Sequence, residues 1–266
     1  MRGILKASEK LLADRLPPWL YFPLQDRVRP LLDRRTVRGG RTVRKIDDVY
    51  EVLWRSGESF YFAHPRRYCR YMYENGLEHI LSAMLAKYQD GEVQLETGDV
   101  VFEVGANVGE FTLAALRKNT KVYAAEPDPH AVRCLCENVP QAQILGAAIG
   151  HVTGTVTLNV STAGGDSSII NAARTRLDVP LETISSWLAR SGEDHIDFLK
   201  IEAEGFEPEV LEGARPVFEK IRKIAIDCGP ERNGKPTLGQ CYALLCNNFR
   251  TWRRGWMLFA VKPPQI

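Results

Sequence analysis

The chain of 266 residues lacks the cysteine and histidine patterns that hold structural metals. Its six cysteines form no C-x-x-C pair and no zinc-ligand spacing, and its five histidines are scattered along the chain. We therefore expect reduced thiols in the protein core, which is typical of a cytoplasmic protein, rather than a disulfide framework.

Long apolar runs are also missing. Charged residues interrupt the N-terminal stretch MRGILKASEKLLADRL every few positions, unlike a signal peptide, and no later run is long enough to span a bilayer. The sequence shows no internal repeat, no low-complexity tract and no nucleic-acid-binding motif. We expect a cytoplasmic protein without a nucleic-acid partner.

From about residue 97 onward, strand-like and helix-like segments alternate. Continuous apolar runs predict central strands at 100–104, 121–126, 143–149, 196–202 and 223–228, and a closing hairpin turns at Gly255. The segment 155–161 alternates apolar and polar residues, which favours an added antiparallel strand. This order predicts an α/β fold with a mostly parallel sheet covered by helices.

The glycine-rich stretch VVFEVGANVGEF, residues 100–111, joins the first of these strands to a helix. Such a turn lets a nucleotide cofactor approach the backbone. A dinucleotide fingerprint would place a second glycine where Asn107 stands, and a side chain there would crowd a pyrophosphate. S-adenosylmethionine (SAM) has no pyrophosphate, and Glu103 offers negative charge to its cationic sulfonium.

An acid follows at the distance that ribose recognition requires. Glu126 lies 21 residues after Gly105, at the end of the second predicted strand. A carboxylate in this position can accept hydrogen bonds from a ribose diol. Asp128 precedes Pro129, a pair that predicts the N-cap and first position of the following helix.

Four blocks in order resemble the FkbM-type SAM-dependent methyltransferases: FEVGANVGEFT, YAAEPDPHAVRCLCEN, VPLETI and FLKIEAEGFEPEVLEGA. The resemblance covers about residues 100–217, with weaker similarity back to Tyr68. It implies a Rossmann-like class I methyltransferase with a seven-stranded, mostly parallel sheet whose last strand is antiparallel. It also implies O-methylation of a hydroxyl on a sugar, glycolipid or other secondary metabolite.

The resemblance further implies which residues hold SAM. They are Glu103, Gly105, Ala106, Asn107, Gly109, Glu126 and Pro127, with a loop containing Asp166, Ser167 and Ser168 closing over the adenosine. One departure from the family pattern is Glu202, where the family usually has aspartate.

The block LKIEAEG ends a central strand, where open α/β sheets place their chemistry. Alternation puts Lys200 and Glu202 on one side of the strand and leaves Glu204 in the loop. Two interpretations compete. Either Glu202 or Glu204 is the base that deprotonates an alcohol acceptor while Lys200 orients it, or the lysine and glutamate form a structural contact.

A metal-dependent reaction is a third interpretation, which we do not favour. Asp227, at the end of the fifth central strand, together with Glu202 would supply carboxylates suited to Mg²⁺, but no clear third ligand accompanies them. We therefore predict no metal ligands, and Asp227 is an equally good candidate for binding the acceptor.

The N-terminal 96 residues form a basic, aromatic-rich extension or lid, predicted to be helical, ahead of a SAM-binding domain at 97–266. Residues 1–70 contain 16 Lys and Arg against 8 Asp and Glu, which favours an acidic partner. Residues 1–40 suit peripheral contact with the inner membrane face. His64 and Tyr68 are candidates for acceptor binding, and homo-oligomer formation is left open.

Three functional hypotheses remain. The first is a SAM-dependent O-methyltransferase with a small-molecule or glycan acceptor, including the Mg²⁺-dependent variant that would act on a diol. The second is a non-catalytic protein that keeps the SAM fold for binding. The third is a nicotinamide-dependent oxidoreductase, which Asn107 disfavours.

Overall fold

The structure is a computed structural model that describes residues 41–63, 76–160, 167–171 and 175–263. The chain divides into two compact units, and the described residues of the first are 41–63 and 76–80. Helix α1, Leu77–Tyr88, begins in the first unit and ends in the second. The domain boundary that we place at residue 96 stays a prediction.

The first unit contains a three-stranded antiparallel sheet. Its strands are β1 Arg41–Ile46, β2 Val49–Trp54 and β3 Ser59–Phe62, in the order β1-β2-β3. Residues Val52, Trp54, Phe60 and Phe62 are buried, two residues apart within each strand, as one face of a pleated strand requires. The helical extension predicted from the sequence therefore contains strands in its described part.

The second unit carries the remaining elements. In chain order they are β4 Val100–Val104, α2 Glu110–Leu116, β5 Lys121–Ala125, α3 Pro129–Asn138, β6 Gln143–Leu145, β7 Ala148–Ile149, β8 Gly154–Val160, β9 Thr175–Glu182, α4 Ile184–Ser191, β10 Ile196–Ile201, α5 Glu207–Ala214, β11 Ile221–Asp227, α6 Leu238–Leu245, β12 Arg250–Arg254 and β13 Met257–Val261. A 3₁₀ helix, Arg215–Lys220, links α5 to β11.

The main sheet has seven strands in the order β12-β13-β11-β10-β4-β5-β6. Neighbours from β11 to β6 pair in parallel, whereas β13 is antiparallel to both β11 and β12. Every residue of β4 and β10 is buried, as expected for central strands covered by helices on both faces. The predicted seven-stranded, mostly parallel sheet is confirmed.

The predicted strand at 143–149 is instead two short strands. The backbone N–H of Ala147 donates to the carbonyl of Leu145 across 2.9 Å, and this tight turn redirects the chain after β6. Strand β7 then joins a second sheet of order β7-β9-β8, in which β8 is antiparallel to β9. The antiparallel strand expected near 155–161 thus belongs to a separate sheet.

Apolar side chains pack on both faces of the main sheet. One face buries Phe102, Leu199 and Ile224 with Trp187 of α4, and the other buries Val101, Phe198 and Ala225 with Phe111 of α2. Among the cysteines, Cys134, Cys228 and Cys241 are buried, whereas Cys136 and Cys246 are exposed, so the expectation of core thiols is wrong for these last two. No helix in the described part of the chain combines the length and apolar composition needed to cross a bilayer.

The register of the central strands brings polar residues to one edge of the sheet. Lys200 of β10 lies opposite Glu103 of β4, and β10 also pairs with β11, which ends at Asp227. Because the strands are parallel, their carboxyl ends share this edge. The candidate site is built there.

Candidate active site

The glycine turn after β4 depends on backbone conformations with positive φ. Gly105 has φ +73°, and a Cβ built on it would lie only 1.9 Å from the carbonyl oxygen of Glu202. Gly109, with φ +98°, would place a Cβ 2.8 Å from a methyl group of Leu135. The first glycine lets the turn lie against the end of β10, and the second lets α2 pack against α3.

Asn107 also adopts a left-handed conformation, with φ 52°, which asparagine tolerates better than most residues. The turn is fixed from outside. The N–H groups of Gly105 and Ala106 both donate to the carbonyl of Ala125 across 3.0 Å, and the Asn138 amide donates to the carbonyl of Val108 across 2.7 Å. The backbone at this site is thus preorganised.

Glu126 follows β5 and faces the glycine turn. Its carboxylate accepts hydrogen bonds from the backbone N–H groups of Asn107 and Asp128, across 2.7 and 2.9 Å. The side chain is buried, and burial raises the pKa of this carboxyl group to about 7, although the two N–H donors oppose the shift. Two buried acceptor oxygens therefore lie beside the turn, as an acid that binds a ribose diol would require.

The next residues continue this wall of the site. Pro127 connects Glu126 to Asp128, which caps α3 by accepting from the N–H of His130, so the predicted N-cap is confirmed. The hydroxyl of Ser167 donates to the other carboxylate oxygen of Asp128 across 3.3 Å. The loop residue Ser167 therefore lies beside the end of β5, whereas Asp166, His64 and Tyr68 lie outside the described residues.

Glu103 and Lys200 form a buried ion pair beneath the turn. Lys200 Nζ lies 3.2 Å from Glu103 Oε1, and both side chains are almost inaccessible to solvent. The hydroxyl of Thr112 donates to Glu103 Oε2 across 2.6 Å, and Lys200 Nζ donates to the carbonyl of Gly105 across 2.7 Å. Burial raises the pKa of Glu103, and the Lys200 ammonium and the Thr112 hydroxyl oppose this shift.

This placement bears on two predicted roles. The negative charge of Glu103 faces Lys200 and Thr112 inside the protein, rather than being open to a cationic ligand as we expected. Lys200 is too buried to contact an acceptor and instead holds the carbonyl of Gly105. Its contact with Glu202, 3.4 Å between charged atoms, fits the structural interpretation of the lysine–glutamate pair.

A second lysine lies at the open side of this cluster. Lys87, in the last turn of α1, places its Nζ 2.7 Å from Glu202 Oε1 and 2.8 Å from Asp227 Oδ2. Burial by itself would raise the pKa of Glu202, but the positive charges of Lys200 and Lys87 outweigh this effect. The pKa of Glu202 is therefore well below the usual range. Burial lowers the pKa of Lys87, and the carboxylates of Glu202 and Asp227 raise it above the ordinary value.

The sequence analysis missed Lys87 and its neighbour Tyr88. The Tyr88 side chain is fully buried, and the centre of its ring lies 4.9 Å from Lys87 Nζ and 5.1 Å from Lys200 Nζ. Burial and the nearby Glu202 carboxylate raise the pKa of Tyr88, yet its hydroxyl has no hydrogen-bond partner of good geometry among the described residues. In the sequence, the only indication of Lys87 and Tyr88 as site residues is their position at the end of an amphipathic helix.

Glu204 lies in the loop after β10, with a left-handed φ of 50°, followed by Gly205 with φ 96°. The loop is organised by Glu207, which the sequence analysis also missed. Its buried carboxylate accepts from the N–H of Gly205 across 2.9 Å and from the hydroxyl of Thr237 across 2.8 Å. The second glutamate of the motif EGFE, Glu207, was the signal in the sequence that could have indicated this role.

Glu202 and Asp227, the two carboxylates considered for Mg²⁺, are paired with a lysine in the structure. Lys87 Nζ lies between Glu202 and Asp227 and contacts both carboxylates. Within the described ranges, no group of three or more His, Cys, Asp or Glu side chains is arranged to hold a metal ion.

The fold and the site together define a class I SAM-binding methyltransferase. The sheet order with antiparallel β13, the glycine turn after β4 and the acid after β5 are the features of this class. The residues fit the cofactor, because Glu126 presents buried carboxylate oxygens for a ribose diol beside the preorganised glycine turn. Gly105, Ala106, Asn107 and Glu126 would hold SAM.

Comparison with known proteins identifies the family. The profile described as the methyltransferase FkbM domain matches residues 103–241, more than half of the chain. The protein belongs to the FkbM methyltransferase family, and the resemblance noted in the sequence is confirmed. No curated protein matches the chain significantly.

Solved structures of similar fold are distant in sequence. A precorrin-6y C5,15-methyltransferase from Geobacter metallireducens is 12% identical with a TM-score of 0.41, over 69% of this chain and 87% of its own. The magnesium protoporphyrin IX methyltransferase from Synechocystis, solved with bound SAM, is 14% identical with a TM-score of 0.41, over 70% and 78%. Fibrillarin from Aeropyrum pernix, also with SAM, is 14% identical with a TM-score of 0.40, over 85% and 100%.

Proposed function

We propose that this methyltransferase is an O-methyltransferase whose acceptor is a hydroxyl of a sugar, glycolipid or other secondary metabolite. The observation that carries the proposal is the cluster of Glu202, Lys87 and Asp227 at the carboxyl ends of β10 and β11, next to the glycine turn. Hydrogen-bond donors and acceptors side by side suit a neutral hydroxyl, which both donates and accepts.

The proposed reaction needs little from the protein beyond positioning and one proton transfer. The bound cofactor supplies an electrophilic methyl carbon on a sulfonium and leaves as a neutral thioether. As the carbon–oxygen bond forms, the O–H bond of the acceptor breaks and its proton moves to a carboxylate of the site. The acceptor becomes a methyl ether.

We assign different tasks to the two candidate carboxylates. The lowered pKa of Glu202 keeps it ionised, which suits it to hold the hydroxyl by a hydrogen bond but makes it a weak base. This leaves Glu204, in the loop after β10, as the proposed proton acceptor. Lys200 acts as a positioning residue through Gly105, and Asp227, with His64 and Tyr68, is proposed to bind the acceptor.

Transfer of a labelled methyl group from SAM to a panel of sugars, glycolipids and small alcohols tests the proposal. We expect an alkali-stable methyl ether, and we expect Glu202→Gln and Glu204→Gln to bind SAM but turn over at least tenfold more slowly. Glu212→Gln, an exposed carboxylate on α5, is the matched control and should retain full turnover.

The outcomes separate the alternatives. Absence of SAM binding in calorimetric titration would remove the proposal, and binding of NAD instead would favour an oxidoreductase. SAM binding without transfer to any hydroxyl would favour the non-catalytic hypothesis. Equal turnover by wild type, Glu202→Gln and Glu204→Gln would refute the assigned tasks.

The basic N-terminal residues support a further part of the proposal, peripheral contact of residues 1–40 with an anionic membrane surface. We expect the full chain to co-sediment with vesicles containing anionic lipid and a chain without residues 1–40 to remain in the supernatant. Failure of both chains to sediment would exclude the membrane contact. In a parallel measurement in the same buffer, we expect the full chain not to bind RNA.

A further inference from the structure

We propose that Lys87 is a built-in cation of the acceptor site, which binds the acceptor oxygen from the position that a divalent metal would take between Glu202 and Asp227. The inference rests on the proposed function, because it assigns a role in the same site. It adds a catalytic residue that the motifs of the family do not include.

The geometry of the ammonium group carries the inference. A lysine ammonium has three N–H donors. Two of them are directed to Glu202 Oε1 and Asp227 Oδ2, across 2.7 and 2.8 Å. No oxygen or nitrogen atom of the described residues accepts from the third, so one donor is available to an oxygen of a bound acceptor.

The Lys87 side chain is partly exposed as well as anchored. About a third of the Lys87 side chain is exposed (31%), as is about a third of Glu202 (35%) and a fifth of Asp227 (21%). By contrast, Lys200 is only 2% exposed. Of the two lysines, Lys87 is the one that an acceptor can reach.

The end of α1 is held in place by two residues of β12. The guanidinium of Arg254 donates to the main-chain carbonyls of Ala86 and Lys87, across 2.6 and 2.9 Å. Arg254 and the indole of Trp252 also bind Asp90, just beyond the helix. These contacts satisfy the free carbonyls of the helix end and fix the position from which Lys87 extends.

The chemistry of this position resembles that of a Lewis-acid metal without requiring one. A metal ion in such a site would bind an acceptor oxygen and stabilise the negative charge that develops on it. An ammonium between two carboxylates stays protonated, so Lys87 cannot be the base, but it can donate a hydrogen bond to the same oxygen. The proton of the acceptor still leaves to a carboxylate of the site.

Two substitutions test the inference by different routes. Lys87→Met removes the charge but keeps most of the length of the side chain. We expect kcat to fall by about 10²–10³, the effect of removing one donor to a developing oxyanion, with less than a threefold change in the Kd for SAM. Lys118→Met, which changes an exposed lysine just before β5, at the edge of the sheet opposite the site, is the matched control and should change neither value.

Lys87→Ala opens space between the two carboxylates, and its readout does not require activity. In Mn²⁺ titrations followed by electron paramagnetic resonance, we expect Lys87→Ala to bind Mn²⁺ at least tenfold more tightly than wild type. The additional change Asp227→Asn should abolish that gain. If wild type already binds Mn²⁺ as tightly as Lys87→Ala, or if Lys87→Met keeps the kcat of wild type, the inference is overturned.

The two readouts also separate this inference from the proposed function. New Mn²⁺ binding by Lys87→Ala supports the cation position of Lys87 even if no hydroxyl is methylated. Methylation of hydroxyls with full activity in Lys87→Met would support the proposed function and refute the role of Lys87.

Discussion

Glu126 offers the sharpest quantitative test of the site. Its pKa in the folded protein is raised from 4.5 to about 7, chiefly because burial disfavours the ionised carboxylate. Each unit of pKa difference between folded and unfolded states corresponds to about 1.4 kcal/mol. The ionised group therefore destabilises the fold, in the absence of ligand, by about 3 kcal/mol.

The direction of the pH effect follows from the raised pKa. Below pH 4.5 the carboxyl group is protonated in both states and contributes no penalty. As the pH rises to about 7, the unfolded chain ionises first, so stability is lost across this window and the loss is complete above it. Glu126→Gln cannot ionise and should lack this component.

Urea unfolding of wild type and Glu126→Gln between about pH 4 and pH 8.5 measures the effect. In Glu126→Gln, the amide NH₂ group replaces one carboxylate oxygen and so faces a backbone N–H that has lost its acceptor. This adds a loss of stability that is independent of pH. The free-energy difference between the two proteins should therefore shift by about 3 kcal/mol in favour of the variant as pH rises. A difference that stays constant with pH would refute the reasoning.

The same group should make cofactor binding depend on pH. A ribose diol donates to the ionised carboxylate, so SAM affinity should weaken below pH 7, approaching tenfold per pH unit. In Glu126→Gln the affinity should be about 10- to 100-fold weaker and nearly independent of pH, since hydrogen bonds to charged groups contribute about 1.5–3 kcal/mol. Calorimetric titration at several pH values checks both statements.

Two further substitutions test the glycine turn and the support beneath it. Gly105→Ala should destabilise the protein by at least about 2 kcal/mol and abolish SAM binding, because φ is +73° and the new Cβ would lie 1.9 Å from the carbonyl oxygen of Glu202. Gly239→Ala, in α6 with no atom within 4 Å, is its control and should stabilise the protein by about 1 kcal/mol; thermal unfolding compares them. Thr112→Val should cost about 1–3 kcal/mol in urea unfolding, because it removes a hydrogen bond to the buried carboxylate of Glu103, and a loss below 0.5 kcal/mol would contradict this.

The features that the sequence predicted well are local in the chain. The glycine turn could be predicted from the residues Gly105 to Gly109 alone, and the cap of α3 from Asp128 and Pro129. The acid Glu126 could be placed because one strand and one helix separate it from the turn, at a spacing fixed by their lengths.

The features that it missed depend on contacts between distant segments. Lys87 and Glu202 are 115 positions apart, and nothing near either residue specifies that they meet. The length of β6 was also misjudged, because only the turn at Ala147, not the apolar composition, ends the strand at Leu145. Tertiary contacts determine which distant residues meet and where such a strand ends, and a local sequence pattern contains no information about these contacts.

The charges of the site form one alternating series rather than separate ion pairs. Lys200 lies between Glu103 and Glu202, and Lys87 lies between Glu202 and Asp227. The series runs from a fully buried end, which fixes the glycine turn, to a partly exposed end, where an acceptor can bind. Because each inner member has two neighbours of opposite charge, the position of the cofactor turn and the ionisation of Glu202 are coupled. Neutralising Lys200 would therefore loosen the turn and weaken the hold on Glu202 at once, whereas neutralising Lys87 would weaken the hold on Glu202 and Asp227 but leave the hydrogen bond from Lys200 to Gly105 in place.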